Sequence, residues 1–276
     1  MSLRYAWLFV CAAANALSPS LAAQEEKPIT PLLRAHAHND YEHKRPLLDA
    51  LEQGFCSVEA DVYLVGEELL VAHTSRDLKP ERTLEKLYLA PLKARVRANG
   101  GRVFRDVPTF YLMIDVKTDA KTTYAAVDKA LARYDDMLSV VRDGKFQAGA
   151  VTVILSGNRD QETIKRQKVR YVGIDGRPAD LDSEAPAHQI PWISTSWGSV
   201  FRWKGEGPMP SAERDKLKEF VAKAHRQGRK VRFWATPERP EVWKELLAAD
   251  VDLINTDRLV ELRRFLLENA AANSKP

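Results

Sequence analysis

Short apolar runs rich in β-branched and aromatic residues alternate with helical or loop segments along most of this chain, and no other feature limits its fold as strongly. The predicted strands are Leu32–His36, Cys56–Val62, Phe110–Val116, Val151–Ser156, Tyr171–Ile174, Trp192–Ser194, Val231–Ala235 and Asp252–Asn255. Strands and helices that alternate through about 250 residues are typical of a parallel sheet closed into a barrel. We therefore predict an α/β protein with a TIM (β/α)8 barrel.

Helical spacing is found in the segments between these strands. Helices are predicted over Pro46–Gln53, over Ala120–Val141, from Ser211, from Pro240 and over Leu259–Leu267. The main alternative is an open, doubly wound sheet. That fold is disfavoured because no glycine-rich phosphate loop of the GxGxxG or GxxxxGK[ST] kind follows any predicted strand.

The first residues are typical of a targeting segment and not of a barrel. A positive start at Arg4, an apolar run over Tyr5–Leu17 and small residues before a cut near Ala22 or Ala23 predict a signal peptide over residues 1–23. A lipoprotein signal using Cys11 is the alternative, but a bulky valine precedes that cysteine. We expect residues 24–276 to form a single barrel domain that is exported, to the periplasm or outside the cell.

Charge and cysteine content exclude further classes of protein. The 42 basic and 38 acidic residues give a net charge of only +4 without a concentrated basic face, so no nucleic-acid partner is expected. After the signal peptide, Cys56 is the only cysteine, and no internal disulfide can form. Nothing after residue 23 is apolar over a transmembrane length, so no stable membrane span is expected.

Acidic side chains occur at positions that face the barrel interior. Glu59 and Asp61 are two apart on one strand and therefore point the same way, with apolar residues between and around them. Asp115 and Lys117 repeat this spacing on the next strand. Because unpaired charge inside a barrel is costly, three carboxylates and one lysine favour a hard divalent cation. The alternative is an internal network of salt bridges that holds the barrel.

Histidines follow the same strands. His36 and His38 end the first strand, and the segment Glu68–His73 is predicted to form a hairpin arm that brings His73 over the mouth. A single histidine is more often structural than catalytic. Two of them beside a carboxylate-bound metal favour acid and base roles, because imidazole titrates near neutral pH.

In this order, the motifs resemble the phospholipase-C-like phosphodiesterase superfamily, which includes glycerophosphodiester phosphodiesterases. The resemblance covers most of residues 31–270 and is closest to the branch named for altered inheritance of mitochondria protein 6. It is carried by the segments His36–Tyr41, Ser57–Val62, Leu70–His73, Val231–Glu238 and Ile254–Asp257. Several motifs in the right order make the match specific, whereas any one alone would be weak.

The resemblance implies a TIM barrel of the PLC-like phosphodiesterase type and cleavage of a phosphodiester with Mg²⁺ or Ca²⁺. On the matching positions it assigns metal binding to Glu59, Asp61 and Asp115, and a place near the phosphate to Lys117. The substrates expected from it are small glycerophosphodiesters or lysophospholipid-like molecules. Whether water or a substrate hydroxyl attacks, which would give a cyclic product, stays open.

The resemblance also assigns the catalytic pair to His36 and His73, one deprotonating the attacking hydroxyl and the other protonating the leaving alkoxide. Glycerophosphodiesterases have His-Arg-Gly after the first strand, whereas here His36 is followed by Ala and His38, so His38 is an alternative catalytic residue. We favour His36 because it directly follows the apolar strand. Asn39 is a candidate to assist at the metal or phosphate, and Trp234 to face substrate at the mouth.

Two other functions stay open on the sequence. Metal-dependent amidohydrolases also begin with His-x-His on the first strand and use an aspartate where Asp257 stands, but they need histidines on the middle strands. No histidine occurs between His73 and His188. The other function is a non-catalytic barrel that binds an anionic headgroup or a sugar phosphate. Oligomeric state is not predicted.

Four large aromatic residues follow one another closely near the sixth predicted strand: Trp192, Trp197, Phe201 and Trp203. We predict that they form a lid packed over the barrel mouth. The alternative is a platform that touches a lipid or sugar substrate.

Overall fold

Eight parallel strands close into a barrel in the computed structural model, which describes residues 29–273. The strands of this range are β1 (Leu32–Ala37), β2 (Phe55–Val65), β3 (Glu68–Val71), β4 (Phe110–Val116), β5 (Val140–Arg142), β6 (Lys145–Gln147), β7 (Val151–Gly157), β8 (Val169–Arg170), β9 (Val172–Gly176), β10 (Trp192–Ser196), β11 (Lys230–Trp234) and β12 (Leu253–Thr256). The barrel order is β1-β2-β4-β7-β9-β10-β11-β12, and β12 pairs with β1 to close the ring. The predicted TIM barrel is confirmed, since each predicted strand overlaps one barrel strand.

Helices cover the outside of the barrel. They are α1 (Leu48–Glu52), α2 (Ala90–Ala98), α3 (Ala120–Ala132), α4 (Gln161–Arg166), α5 (Trp197–Val200), α6 (Ser211–His225), α7 (Pro240–Ala248) and α8 (Leu259–Asn273), with short helical turns at Asp40–Glu42, Glu85–Leu89 and Pro178–Asp182. Helix α3 begins where the Asp119 carboxylate accepts a hydrogen bond from the Thr122 N–H, as N-cap residues do. Each long helix buries one apolar face on the strands.

The helix predicted over Ala120–Val141 is shorter than expected. It ends at Ala132, and the residues after it form β5, which pairs antiparallel with β6 and β8 in a small separate sheet. Asp143 and Gly144 turn β5 into β6 with positive φ angles of 48° and 77°. An Asp-Gly pair is the usual signal for such a two-residue hairpin turn, and it outweighs the helical spacing at the end of this segment.

An apolar layer seals the interior of the barrel near the amino ends of its strands. Met113, Ile154, Trp192 and Leu253 form this layer, and each is at most 2% exposed. The Trp192 ring makes an edge contact with His36, with ring centroids 5.8 Å apart. The opening at the carboxyl ends of the strands therefore leads into a space that is closed at its base, and not into a channel through the barrel.

The predicted aromatic lid is wrong. Trp192 belongs to the apolar layer inside the barrel, and Trp197, Phe201 and Trp203 are buried on the outside of the strands. Trp197 and Phe201 each lie 5.6 Å, ring centroid to centroid, from Phe233. Phe233 alternates with the inward-facing residues of β11 and therefore points toward the helices. Trp197 and Phe201, which pack against it, are thus part of the core beneath helix α6.

The predicted hairpin arm is present. Strand β3 folds back antiparallel on the end of β2, so that His73 returns to the barrel mouth. In the described part of the chain, no helix has the length and apolar character to cross a membrane. The predicted signal peptide over residues 1–23 lies outside the described residues.

Candidate active site

The carboxyl ends of the barrel strands carry the polar residues that the sequence singles out, at the end where such barrels hold their chemistry. The structure places there all nine predicted site residues: His36, His38, Asn39, Glu59, Asp61, His73, Asp115, Lys117 and Trp234. The parallel register of β2 and β4 sets Asp61 directly beside Asp115. Trp234 is the last residue of β11 and is 41% exposed.

Three carboxylates converge at the mouth. Glu59, Asp61 and Asp115 each offer one oxygen, and these atoms lie within 4.8 Å of one another. The Oδ1 atom of Asp61 is buried and has no hydrogen-bond partner among the described residues. Buried polar atoms normally have a partner, and a hard cation would supply one to a carboxylate oxygen. The donor set therefore fits a divalent ion such as Mg²⁺ or Ca²⁺.

Lys117 forms ion pairs with two of these acids. Its Nζ lies 2.9 Å from Asp61 Oδ2 and 3.1 Å from Asp115 Oδ1. The third acid, Glu59, pairs with Arg232. The salt-bridge network considered as an alternative to a metal is thus present, but two cations against three carboxylates leave one negative charge.

Burial raises the pKa of two of the carboxylates above the ordinary value for an aspartate. Burial, followed by repulsion from Glu59, raises the pKa of Asp61 to about 6 in spite of Lys117. Burial also raises the pKa of Asp115. A cation bound among these oxygens favours the charged form and opposes both shifts.

A fully buried polar group lies between the acids and the apolar layer. Arg232 Nη1 donates hydrogen bonds to Glu59 Oε2 at 2.8 Å and to Asn255 Oδ1 at 3.0 Å, and it lies 3.0 Å from His36 Nε2. His36 Nε2 also lies 3.4 Å from Glu59 Oε2, and its Nδ1 lies 2.7 Å from Ser57 Oγ. Both nitrogens of His36 are therefore engaged inside the protein.

The same contacts fix the charges of this group. Burial, with the nearby Arg232 charge, lowers the pKa of His36 to about 4 and keeps its ring neutral. Burial alone would raise the pKa of Glu59, but the Arg232 guanidinium and the His36 hydrogen bond hold it well below its usual range. Arg232 and Glu59 thus form a buried ion pair beside a neutral imidazole.

His38 has a different environment from His36. Its side chain is 27% exposed, and its Nδ1 lies 2.8 Å from Oδ1 of Asp257, which is 54% exposed. Burial works against a charged ring, but the hydrogen bond to Asp257 outweighs it and raises the pKa of His38. Asn39, in the left-handed region at φ 46°, also donates to Asp257 at 3.3 Å. The Asp257 carboxylate therefore orients His38 and leaves its Nε2 without a protein partner among the described residues.

His73 lies on the hairpin side of the mouth, with its side chain 53% exposed. Its Nδ1 lies 3.0 Å from the Tyr41 hydroxyl and 3.8 Å from Asp61 Oδ2. The same hydroxyl lies 2.8 Å from Asp61 Oδ2 and 2.6 Å from Asn39 Oδ1. Tyr41 thus links His73, the acids and Asn39 in one hydrogen-bonded group.

The opposite wall of the mouth is basic. Asp175 is completely buried on β9, where it accepts hydrogen bonds from the hydroxyls of Ser156 and Ser194 and from Arg177 Nη1 at 2.8 Å. Arg159 follows β7 and donates to the backbone carbonyl of Asp175. These two arginines are partly exposed and stand across the barrel from His38.

Gly157 shows how tightly the acids are packed. It ends β7 beside Asp115, and its φ is +67°. A Cβ atom at this position would lie 2.3 Å from Asp115 Oδ1 and 2.4 Å from the Val116 carbonyl oxygen. No side chain fits there without moving the Asp115 carboxylate.

Asp40, directly after the His38-Asn39 turn, is buried and holds that turn in place. Its Oδ2 accepts hydrogen bonds from the Leu47 N–H at 2.6 Å and from the Tyr88 hydroxyl at 2.9 Å. Burial raises the pKa of Asp40 from 3.8 to about 7. The folded protein therefore holds this proton more tightly than the unfolded chain does. The resulting stability is present at low pH and is lost as the pH rises from about 4 to 7.

We expect the substitution Asp40→Asn to flatten the dependence of stability on pH. Between pH 5 and pH 8, the free energy of unfolding of the parent should fall more than that of the variant, by on the order of 2 kcal/mol for a single group with this shift. Urea unfolding of both proteins at the two pH values measures the difference. Equal pH dependence in the two proteins would contradict the shifted ionisation of Asp40.

Several residues of this site were not found from the sequence. Arg232 and Asp175 are charged residues at inward positions of apolar strands, which is the signal that identified Glu59. Asp257 belongs to one of the family motifs and was weighed as an amidohydrolase ligand, but its contact with His38 was not predicted. Tyr41 lies within a quoted motif, but nothing local shows that its hydroxyl reaches Asp61.

An amidohydrolase site is not assembled. His188, the next histidine after His73, lies before β10 and contacts Arg170 near the amino ends of the strands. Of the six histidines, all within the described residues, only His36, His38 and His73 lie at the carboxyl ends of the barrel strands or on the hairpin arm. His43 lies just after the first helical turn. The middle strands supply none.

Comparison with known proteins places the chain in a family. The model of the AIM6-like phosphodiesterase domain matches residues 24–175, and that of the glycerophosphoryl diester phosphodiesterase family matches residues 230–259. Altered inheritance of mitochondria protein 6 of Eremothecium gossypii is 31% identical, over 89% of this chain and 72% of that protein. A homolog from Arthroderma benhamiae is 30% identical, over 80% of each chain.

Solved structures agree on the fold. A glycerophosphodiester phosphodiesterase from Parabacteroides distasonis superposes with a TM-score of 0.53 at 16% identity, covering 86% of this chain and 98% of that one. A second, from Agrobacterium tumefaciens, gives a TM-score of 0.50 at 14% identity, covering 85% and 99%. The matched domain covers more than half of the chain, and the expected family resemblance is confirmed. This chain belongs to the family of AIM6-like phosphodiesterase domains.

Proposed function

We propose that this protein is a metal-dependent phosphodiesterase that cleaves a small glycerophosphodiester or lysophospholipid-like substrate. One observation carries the proposal. Three carboxylates converge at the mouth and retain an excess negative charge, and the buried Asp61 Oδ1 has no partner within the described range, while partly exposed histidines flank them. The family and the fold agree with phosphodiester chemistry.

Glu59, Asp61 and Asp115 would hold the ion, for which Mg²⁺ and Ca²⁺ are the candidates because the ligands are oxygens. When bound, such an ion polarises a phosphoryl oxygen and offsets the charge that develops at phosphorus. Lys117 already pairs with two of these acids, so its ammonium is placed to contact a phosphate oxygen at the same position.

The acid and base roles are proposed for His38 and His73. Asp257 orients His38, and the hydrogen bond between them raises the pKa of this histidine. Histidine is the side chain that most often transfers protons in general acid or base catalysis. His73 is held by Tyr41 and is half exposed. His36, which the sequence argument preferred, has both ring nitrogens engaged in a closed interior, so we propose that it positions Glu59 and Arg232.

The remaining predicted residues would bind substrate. Asn39 is held beside His38 by Asp257, and its amide would donate to a phosphate oxygen there. Trp234 offers an exposed ring at the rim for the apolar or sugar part of a substrate. Export of the chain, which would place its substrate outside the cytoplasm, is also proposed from the sequence of residues 1–23.

Product release from a small panel of phosphodiesters tests the proposal. The panel contains glycerophosphocholine, glycerophosphoinositol, lysophospholipids and bis-p-nitrophenyl phosphate, each assayed with EDTA and with added Mg²⁺ or Ca²⁺. We expect turnover that EDTA abolishes and one of the two metals restores. Turnover that is insensitive to EDTA would contradict the metal dependence.

A barrel that binds an anionic headgroup without turnover is the second candidate. It is favoured by Lys117, which spans two of the three acids and so stabilises the site without any ion. This function predicts that glycerophosphodiesters bind to the folded protein, measured by calorimetry, while no product forms with either metal.

A further inference from the structure

A cavity lies at the end of the barrel opposite the acidic cluster. It has a volume of about 410 Å³ and is enclosed by the amino ends of β4, β7 and β9 and by the small sheet of β5, β6 and β8. The apolar layer that includes Met113 and Trp192 separates it from the mouth. Its volume lies within the range of about 300–1,000 Å³ that is usual for small-molecule sites.

The wall of this cavity is apolar with a basic component. Tyr111, Val140, Phe146, Val153 and Pro191 are among its apolar lining residues. Arg102, Arg170 and His188 are the basic residues in the wall, and no aspartate or glutamate lines it. A site with this lining is complementary to a molecule that carries one negative group on an apolar body.

Arg170 is buried without a carboxylate partner. It is 4% exposed, and its Nη2 donates to Nδ1 of His188 at 3.0 Å and to the His188 carbonyl oxygen at 3.3 Å. Its Nε has no partner, and no aspartate or glutamate of the described residues forms an ion pair with it. Burial and the Arg170 charge lower the pKa of His188, so the imidazole that accepts this bond is neutral.

Two other buried arginines have more partners for their guanidinium groups than Arg170 has. Arg232 pairs with the Glu59 carboxylate. Arg229 has no carboxylate partner in the described part of the chain either, but it donates to three backbone carbonyls, whereas Arg170 reaches one. A buried cation that is not compensated costs stability. An anion in the adjoining cavity would compensate it.

We propose that this cavity binds a carboxylate with an apolar body, such as a medium-chain fatty acid, through the Arg170 guanidinium. A planar carboxylate matches the donor geometry of a guanidinium, and the aromatic and aliphatic wall receives the chain. Arg102, exposed at the rim, adds positive charge to the entrance. The site is separate from the acidic cluster and does not depend on phosphodiester turnover.

Calorimetric titration with decanoate, with decanol and acetate as comparison ligands, tests this site. We expect decanoate to bind with a Kd below about 1 mM and the other two to bind at least tenfold more weakly, since each lacks one of the two complementary parts. Failure of decanoate to bind, or equal binding of decanol, would overturn the proposal.

Arg170→Met gives the decisive variant. Its decanoate affinity should fall tenfold or more, as expected when a charge-assisted hydrogen bond is lost. Without ligand, it should also unfold at a higher urea concentration than the parent, because the uncompensated charge is gone. A merely structural guanidinium predicts the opposite shift, and a less stable Arg170→Met protein would overturn the proposal.

Two further variants complete the test. Arg166→Met removes an exposed arginine on α4 and should leave both the affinity and the urea midpoint unchanged. Ala187→Phe, in the cavity wall, should block decanoate while Arg170 stays in place. Unchanged decanoate binding in the Ala187→Phe protein would place the ligand elsewhere and overturn the assignment.

Discussion

Asp61→Asn is expected to lower kcat/KM for a phosphodiester by about 10²–10³-fold, since it removes a charged ligand from a site whose ion would contribute several kcal/mol. The reason lies in the geometry of the carboxylate. Asp61 Oδ1 is buried without a hydrogen-bond partner in residues 29–273, and Asp61 belongs to the cluster with the other two acids. The concentration of Mg²⁺ or Ca²⁺ that gives half-maximal turnover should rise as well.

Asp61→Asn should lower activity but not the stability of the metal-free protein. Because burial and Glu59 raise the pKa of Asp61, an uncharged side chain there should leave the protein in EDTA at least as stable as the parent. The increase in melting temperature that added metal gives to the parent should be lost. Asp182→Asn, at an exposed carboxylate paired with Lys223, is the control and should change neither property. Full metal dependence in Asp61→Asn would contradict the assignment.

His38→Gln is expected to lower turnover by about 10²–10⁴-fold with little change in the free energy of unfolding, because acid or base catalysis contributes a factor of this size. The side chain is partly exposed and contacts Asp257 and Asn39. Steady-state rates and urea unfolding of the same preparation give both quantities.

His36→Gln should behave differently. It disturbs the buried contacts to Ser57 and Arg232, so the free energy of unfolding should fall by about 1–3 kcal/mol. If His36→Gln stays as stable as the parent and is inactive, while His38→Gln keeps its activity, the roles proposed for the two histidines are reversed.

The barrel could be predicted because each strand carries its own local signal. Strand β2 reads as an apolar run whose alternate inward positions hold Glu59 and Asp61, and the parallel register then sets Asp115 beside Asp61. The end of α3 and the hairpin after it could not be separated by periodicity, since Val140 and Val141 fit both a helix face and a strand.

The site was predicted where its residues follow directly from strand position. The partners that distinguish His36 from His38 come from elsewhere in the chain. Arg232 is 196 residues from His36, and Asp257 is 219 residues from His38. No local pattern specifies such contacts, because they depend on how the ring of strands closes. The sequence therefore predicts two histidines at the end of β1 but not the environment of either one.

The apolar layer beneath His36 also sets the direction of the electric field in the barrel. Water reaches the acids from the mouth only, because Met113 and Trp192 help to close the other side. Glu59 and Arg232 thus lie between a medium of low dielectric constant and solvent, and low-dielectric walls focus the field of fixed charges toward the opening. The folded chain already fixes the direction of this field, so the charges need no rearrangement when an ion binds.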